Sequence, residues 1–278
     1  MDVAVVVSSC DQYRDAWAPF FYFFRKYWPD CPWPVYLITN YGVYRDRSVT
    51  CLALGRDRSW ADNLLLALDR VAAPHIVYFQ EDYFFTRPVQ TDALAQDVDF
   101  CRRSNAAYLG LFARPAPEEN SFRNNPRIGR LAPEARLRVS LQAAVWDVNK
   151  LRSLTRPGES AWAMERYGSD RSRQLLFLRM NSFETAPLDY FHTAIVRGAW
   201  DPLAVQMCRS ADIPLDLSLR PIRPESWLQK RRRKLRFKIE RARQRVWPRR
   251  FEIHAFPNGD SAPRIGLGEA RQPHASAR

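Results

Sequence analysis

Over its first 112 residues the chain alternates short apolar, β-rich runs with segments long enough for a helix, and this pattern limits its possible folds more than any other feature. Val3–Val7 is predicted to be a buried strand, followed by a helix over about Asp15–Tyr27. Val35–Thr39 and Val49–Leu54 give a second and a third strand. Ser59, with Asp62 three residues on, is the N-cap of a helix expected to run to Val71. His75–Gln80 is a fourth strand, free of glycine and proline. Strands joined by crossover helices imply an α/β fold with a mostly parallel central sheet flanked by helices. Ligands of such sheets sit beyond the carboxyl ends of the strands. Polar tips fall there: Ser8-Ser9-Cys10-Asp11, then Thr39-Asn40, then Gln80-Glu81-Asp82.

Beyond residue 112 the pattern loosens. Ala113–Arg136, rich in proline, asparagine and arginine, is expected to be a long loop of the kind that carries function. Leu137–Trp146 resumes a strand pattern, and Val148–Leu154 and Ala161–Tyr167 suit short helices. Leu188–Val196 is a further strand, and Asp201–Ala211 a helix opened by Pro202. A boundary is expected near Pro221–Pro224. It would separate one domain (1–222, halves at about 1–112 and 113–222) from a basic helix (223–250) and a flexible tail (251–278).

Three clusters carry chemistry. Glu81 and Asp82, two carboxylates ending an apolar strand, are costly there unless solvated, paired or bound to a cation. Strand alternation points Gln80 and Asp82 one way and Glu81 the other. A divalent ion bridging a diphosphate takes one or two such oxygen ligands and fills the rest with phosphate and water. The same acids could instead cap a turn or pair with Arg87. Ser8, Ser9 and Asp11 suit hydrogen bonds to a nucleoside, and equally suit capping of the next helix. Trp162 and Glu165 share a helical face, a combination that can stack a sugar ring beside a general base.

These clusters, together with Trp17, Pro19-Phe20-Phe21, Tyr27–Pro32, Ser59-Trp60, Ser140–Ala143, Trp146, Arg156–Trp162 and Val196–Trp200, resemble a group of bacterial GT-A-type glycosyltransferases. Enzymes of that group are associated with capsule, O-antigen or related surface polysaccharides. The resemblance runs in order over roughly residues 1–215. It implies a GT-A-like nucleotide-binding half followed by an acceptor-binding half. It also implies a donor site at Ser8, Ser9, Asp11, Asn40, Trp60, Gln80 and Glu81, with Asp82 as ligand to Mn²⁺ or Mg²⁺. Gln80 stands where the family's Asp-x-Asp has its first aspartate, so cationic side chains such as Arg171 or Arg197 are expected to share the diphosphate. Gln142, Trp146 and Trp162 would line the sugar or acceptor. Glu165 would deprotonate the acceptor hydroxyl in an inverting displacement, with Glu159 its rival.

Charge and cysteine usage narrow the remaining classes. The formal charge is +13, yet residues 225–250 alone hold 12 Lys/Arg against 2 Glu. The basicity therefore belongs to one segment. Leu235, Ile239, Ala242 and Val246 form an apolar stripe within it, so 227–247 is expected to be a basic amphipathic helix resting on an anionic membrane surface. A lipid-linked saccharide acceptor would suit such docking. Nucleic acid is not the expected partner, because the aromatics sit on the stripe or at its ends and are not interleaved for stacking. Five widely spaced cysteines without a CxxC pair argue against a zinc site or disulfide framework, and the N-terminus reads as a strand with no leader; both point to the cytoplasm. Two alternatives stay open: a nucleic-acid-binding protein using the basic helix, and a degenerate glycosyltransferase acting as a partner subunit.

Overall fold

A computed structural model describes residues 2–224. The basic helix expected over 227–247 and the tail over 251–278 lie outside the described residues. The chain opens with β1 (Val3–Ser8), a 3₁₀ turn (Asp11–Ala16) and α1 (Trp17–Tyr27). β2 (Val35–Thr39), β3 (Val49–Ala53), α2 (Trp60–Leu68) and β4 (His75–Gln80) follow. Next come β5 (Phe84–Phe85), α3 (Thr91–Arg103), β6 (Tyr108–Gly110) and β7 (Ile128–Arg130). β8 (Ala144–Asp147), α4 (Val148–Leu154), α5 (Ala161–Arg171) and β9 (Phe177–Met180) continue the domain. It closes with β10 (Tyr190–Phe191), β11 (Ile195–Val196), β12 (Ala199–Trp200) and α6 (Pro202–Ser210).

Eight strands form the central sheet in the order β3-β2-β1-β4-β8-β6-β9-β7. β3, β2, β1 and β4 are mutually parallel; β8 enters antiparallel to both β4 and β6, and β7 is antiparallel to β9. This is the mostly parallel, helix-flanked α/β layout that a GT-A-like fold requires. Period-two burial explains the layers. Val3, Val5 and Val7 face the Phe20, Phe24, Leu94 and Ala204 side, while Ala4 and Val6 face Leu64, Leu68, Leu151 and Met164. β1 is buried along its whole length, as a strand covered on both faces must be.

Six expected elements differ from those observed: the helix expected over Ala161–Tyr167 runs on to Arg171, the loop expected over Ala113–Arg136 holds β7, and four others shift, shorten or split. The first helix starts as a 3₁₀ turn, because Tyr13 departs from helical geometry (φ −107°, ψ 18°). The helix after Ser59 ends at Leu68, before the expected Val71. The strand expected over Leu137–Trp146 shrinks to β8. Leu137 takes a left-handed φ of 55°, and Arg138 is pulled out of any ladder by donating to the carbonyls of Leu131 and Ala132. The strand expected over Leu188–Val196 splits into β10 and β11, because Ala194 turns its amide to the Asp82 carbonyl (3.0 Å).

Candidate active site

The carboxyl ends of β1 and β4 lie side by side, Ser8 opposite Gln80 in register. A cavity of about 730 Å³ opens above them. Ser8, Ser9, Trp60, Gln80, Glu81, Asp82, Gln142, Trp162, Glu165 and Arg197 all line it. The strand-based expectation that Glu81 faces away from Gln80 and Asp82 is corrected. β4 ends at Gln80 and the chain turns, Tyr83 N–H donating to the Gln80 carbonyl (3.2 Å), so all three reach one cavity.

Glu81 and Asp82 are each about 8% exposed and enter no ion pair among the described residues. Arg87 donates to the carbonyls of Phe183, Ala186 and Leu188, so it does not neutralise them. Burial, reinforced by the neighbouring Asp82 charge, pushes the Glu81 carboxyl well above its ordinary range. Burial raises Asp82 to about 7, opposed by the Ile195 N–H that donates to Oδ2 (3.2 Å). The protein thus supplies two adjacent hard oxygen donors with no ion-pair partner of their own; the positive charge that acts on both, Arg220, is already paired with Asp15. No group of three His, Cys, Asp or Glu side chains fit to hold a metal occurs among the described residues. The donor set therefore fits Mg²⁺ or Mn²⁺ shared with phosphate and water, and does not fit an ion caged by protein alone.

The other walls are held firmly. Asp82 ties the β4 tip to the β11–β12 hairpin, whose two-residue loop, Arg197 (φ 51°) and Gly198 (φ 76°), has the double left-handed geometry of a type I′ turn. A non-glycine at its first position is strained, and the turn tip places Arg197 on the cavity. Ser59 Oγ accepts from Asp62 N–H (3.0 Å), which caps α2 and sets Trp60 and Asn63 on the adjoining wall. Trp60 Nε1 donates to the buried Tyr78 hydroxyl (3.2 Å). From α5, Glu165 Oε1 accepts the Leu141 N–H (2.8 Å), and burial raises its carboxyl above the ordinary range. Trp162, one turn earlier, is 80% exposed with its ring open to solvent at the same cavity.

Five of the residues singled out in the sequence lie elsewhere. The Asp11 carboxylate accepts the N–H groups of Asn40, Tyr41 and Gly42 (2.9 Å each), and Asn40 Oδ1 accepts Asp11 N–H (3.0 Å). The two join the tips of β1 and β2, and neither lines the cavity. Trp146 is fully buried between Tyr108 and Phe177 (centroids 4.7 and 5.7 Å), out of reach of sugar or acceptor. Glu159 and Arg171 form a two-pronged ion pair (2.8 and 2.7 Å), and neither reaches the cavity. Their charges are spent on each other.

Several lining residues escaped the sequence reading: Tyr13, Asp57, Asn63, Tyr83 and Thr193. Asp57 and Asn63 straddle the α2 cap, and Asn63 Nδ2 donates to Asp57 Oδ1 (2.7 Å). The helix start was visible, and a polar pair on either side of it was the available signal. Thr193 had none.

No family model matches the chain, and no curated protein does. Among solved structures it is similar to S. aureus TarS 1–349, with a TM-score of 0.46, 11% identity, and coverage of 69% of this chain and 60% of that one. The mannosyltransferase PcManGT of Pyrobaculum calidifontis, solved with GDP-Man and Mn²⁺, gives 0.48 and 14%, over 70% and 58%. The 2-C-methyl-D-erythritol 4-phosphate cytidylyltransferase of Thermus thermophilus gives 0.45 and 13%, over 76% and 99%. The chain thus spans less than two thirds of the first two. Likeness at this level identifies neither a family nor an activity.

Proposed function

We propose that the chain is a nucleotide-sugar glycosyltransferase. The observation that carries this reading is the convergence on one cavity of two acids without an ion-pair partner, Glu81 and Asp82, with a separate buried carboxylate, Glu165, beside an open indole, Trp162. Asp82 and Glu81 would hold a divalent cation, which when bound supplies positive charge to a departing diphosphate. Arg197, the cation at the hairpin tip, adds to that stabilisation. Ser8, Ser9, Gln80 and Trp60 offer hydroxyl, amide and ring surfaces to the nucleoside side.

Glu165 acts as the base. Its Oε1 is occupied by the Leu141 N–H, which fixes the carboxylate, and its raised proton affinity suits it to take the acceptor hydroxyl's proton. Trp162 gives the acceptor sugar a ring to stack on. With Glu165 as the base, the displacement is proposed to be inverting, as in the glycosyltransferases that the sequence resembles. The acceptor is proposed to be a saccharide or lipid-linked saccharide of a surface polysaccharide, with the enzyme at the inner membrane face. No helix among the described residues is long and apolar enough to cross a membrane.

A donor screen tests the reading. UDP- and GDP-sugars with Mn²⁺ are expected to raise Tm and to be turned over. Glu165→Gln should cut transfer by roughly 10²–10⁴-fold while nucleoside diphosphate binding persists. No shift with any nucleotide would sink the proposal.

A further inference from the structure

Gln142 lies on the cavity at the end where Leu141 meets Glu165. Its amide is oriented by a complete hydrogen-bond account. The Tyr190 hydroxyl accepts the Ala143 N–H (3.0 Å), so its single proton is directed to the other near neighbour, Gln142 Oε1 (2.9 Å). Tyr190 is buried and stacked on Tyr83 at 4.9 Å, and Tyr83 in turn donates to the Leu141 carbonyl (2.9 Å). Burial raises the Tyr190 phenol well above its ordinary range, so it stays a donor. With Oε1 turned back into the protein, Gln142 Nε2 has no partner among the described residues, and it is not among their buried unpartnered atoms. What the residue offers the cavity is a neutral pair of N–H donors.

We infer that Gln142, locked in this orientation by Tyr190, selects the transferred sugar by donating to one of its uncharged oxygens, a hydroxyl or an acyl carbonyl. This rests on the donor-site reading above. The neighbourhood supports an oxygen of the sugar over one of the diphosphate. Gln142 follows directly the residue that anchors Glu165, the group assigned to the reacting hydroxyl, and both side chains line the cavity. An uncharged amide donor suits an uncharged ligand oxygen that accepts. Tyr190 is a positioning residue: it turns the amide, and the amide meets the sugar. A site built to donate to a ligand oxygen discriminates strongly against ligands that lack it.

The test compares nucleoside diphosphates (UDP, GDP) with their sugars (UDP-GlcNAc, GDP-Man) by calorimetry on the full chain with Mn²⁺. Gln142→Met, which removes the donor pair without adding charge, should weaken the bound nucleotide sugar at least tenfold. The parent diphosphate should stay within twofold. Tyr190→Phe frees the amide to flip and should give a smaller loss, about threefold to tenfold, with the same selectivity. The double variant should lose no more than Gln142→Met alone, since both act through one contact. Equal weakening of diphosphate and nucleotide sugar, or no weakening of either, would overturn the inference. If wild type binds no diphosphate, the donor-site reading itself fails, a result distinct from these. Should Tyr190→Phe fail to fold, Gln142→Met decides alone.

Discussion

Two regions of this sheet bury charge without an ion-pair partner, and they do so differently. At the β1–β4 end, Glu81 and Asp82 share a cavity wall, and burial drives both toward the neutral form. Across the sheet, Arg138 and Arg179 are 2% and 1% exposed and likewise enter no ion pair among the described residues. The arginines, however, spend their protons on backbone. Arg138 donates to the carbonyls of Leu131, Ala132 and Leu175 and to Ser172 Oγ, and lies over the Phe177 ring at 4.6 Å. Arg179 donates to the carbonyls of Pro115 and Leu137. They staple the long 113–138 segment to the domain. The acids receive only backbone donors and face open space. A buried charge answered by carbonyls is scaffolding; one left facing a cavity awaits a ligand.

The sharpest way to break that contrast is to neutralise one member at each end. Asp82→Asn should lower turnover by on the order of 10²–10³-fold. It should also raise the apo Tm at pH 8, since a buried carboxylate without an ion-pair partner is removed. Arg138→Met should do the reverse. Leaving several buried carbonyls unpartnered costs roughly 3–5 kcal/mol, which lowers Tm by roughly 10 °C in a domain of this size. Activity per folded molecule should hold. If Asp82→Asn destabilises, or Arg138→Met inactivates at temperatures where it is folded, the division between ligand site and scaffold fails.

Much of the acid end could be read from the chain, and little of the arginine end. β2 and β4 match their expected bounds, and β1 and β3 fall within one residue, because unbroken apolar runs leave one option. Their polar tips then had to meet at the sheet's carboxyl edge. β6, β7 and β9 have three or four residues each, too few to show a period, and the burial of Arg138 and Arg179 depends on carbonyls far off in sequence. The same limit explains the displaced site residues. Asp11 was equally suited to a nucleoside or to backbone donors, and the amides of Asn40–Gly42 took it. Glu159 and Arg171 are twelve residues apart, and no local pattern announces their pairing. Glu165 and Trp162 reach the cavity because Ser160 caps α5 where the helical pattern starts, so their shared face survives into the fold.

A pH series sharpens the acid end. Asp82 has a folded value of about 7, against about 3.9 in an unfolded chain. Between those values the folded state holds a proton that the unfolded state has lost. Its stabilising contribution is therefore complete below pH 4 and drains away as pH rises through 7, at about 1.4 kcal/mol per pH unit. Glu81 acts in the same direction. Thermal melts of metal-free protein should fall across this window. Asp82→Asn should flatten the slope and match wild type near pH 4. Mn²⁺ with a nucleoside diphosphate should recover the loss at pH 8 in wild type and not in the variant. A slope unchanged in the variant would place the titrating group elsewhere.

The smallest effect distinguishes two acids that the sequence left as rivals. Glu159 is held by Arg171 at half-buried positions, with Gly158 N–H and Ala61 N–H tying the same loop to Asp62 and to the Glu159 carbonyl. Its carboxylate is committed to a guanidinium and lies off the cavity, so it has no geometry for taking an acceptor proton. Glu159→Gln should therefore change kcat by less than about threefold while costing about 1 kcal/mol of stability, the usual worth of a partly exposed pair. Glu165→Gln should leave Tm nearly unmoved and remove transfer, because its carbonyl oxygen can still accept the Leu141 N–H. The pH–rate profile separates the two further: its acidic limb, set by a base with raised proton affinity, should vanish from the residual rate of Glu165→Gln and persist unshifted in Glu159→Gln. A shifted limb in Glu159→Gln would mean that the ion pair reaches the base through α5, the helix that carries both Arg171 and Glu165.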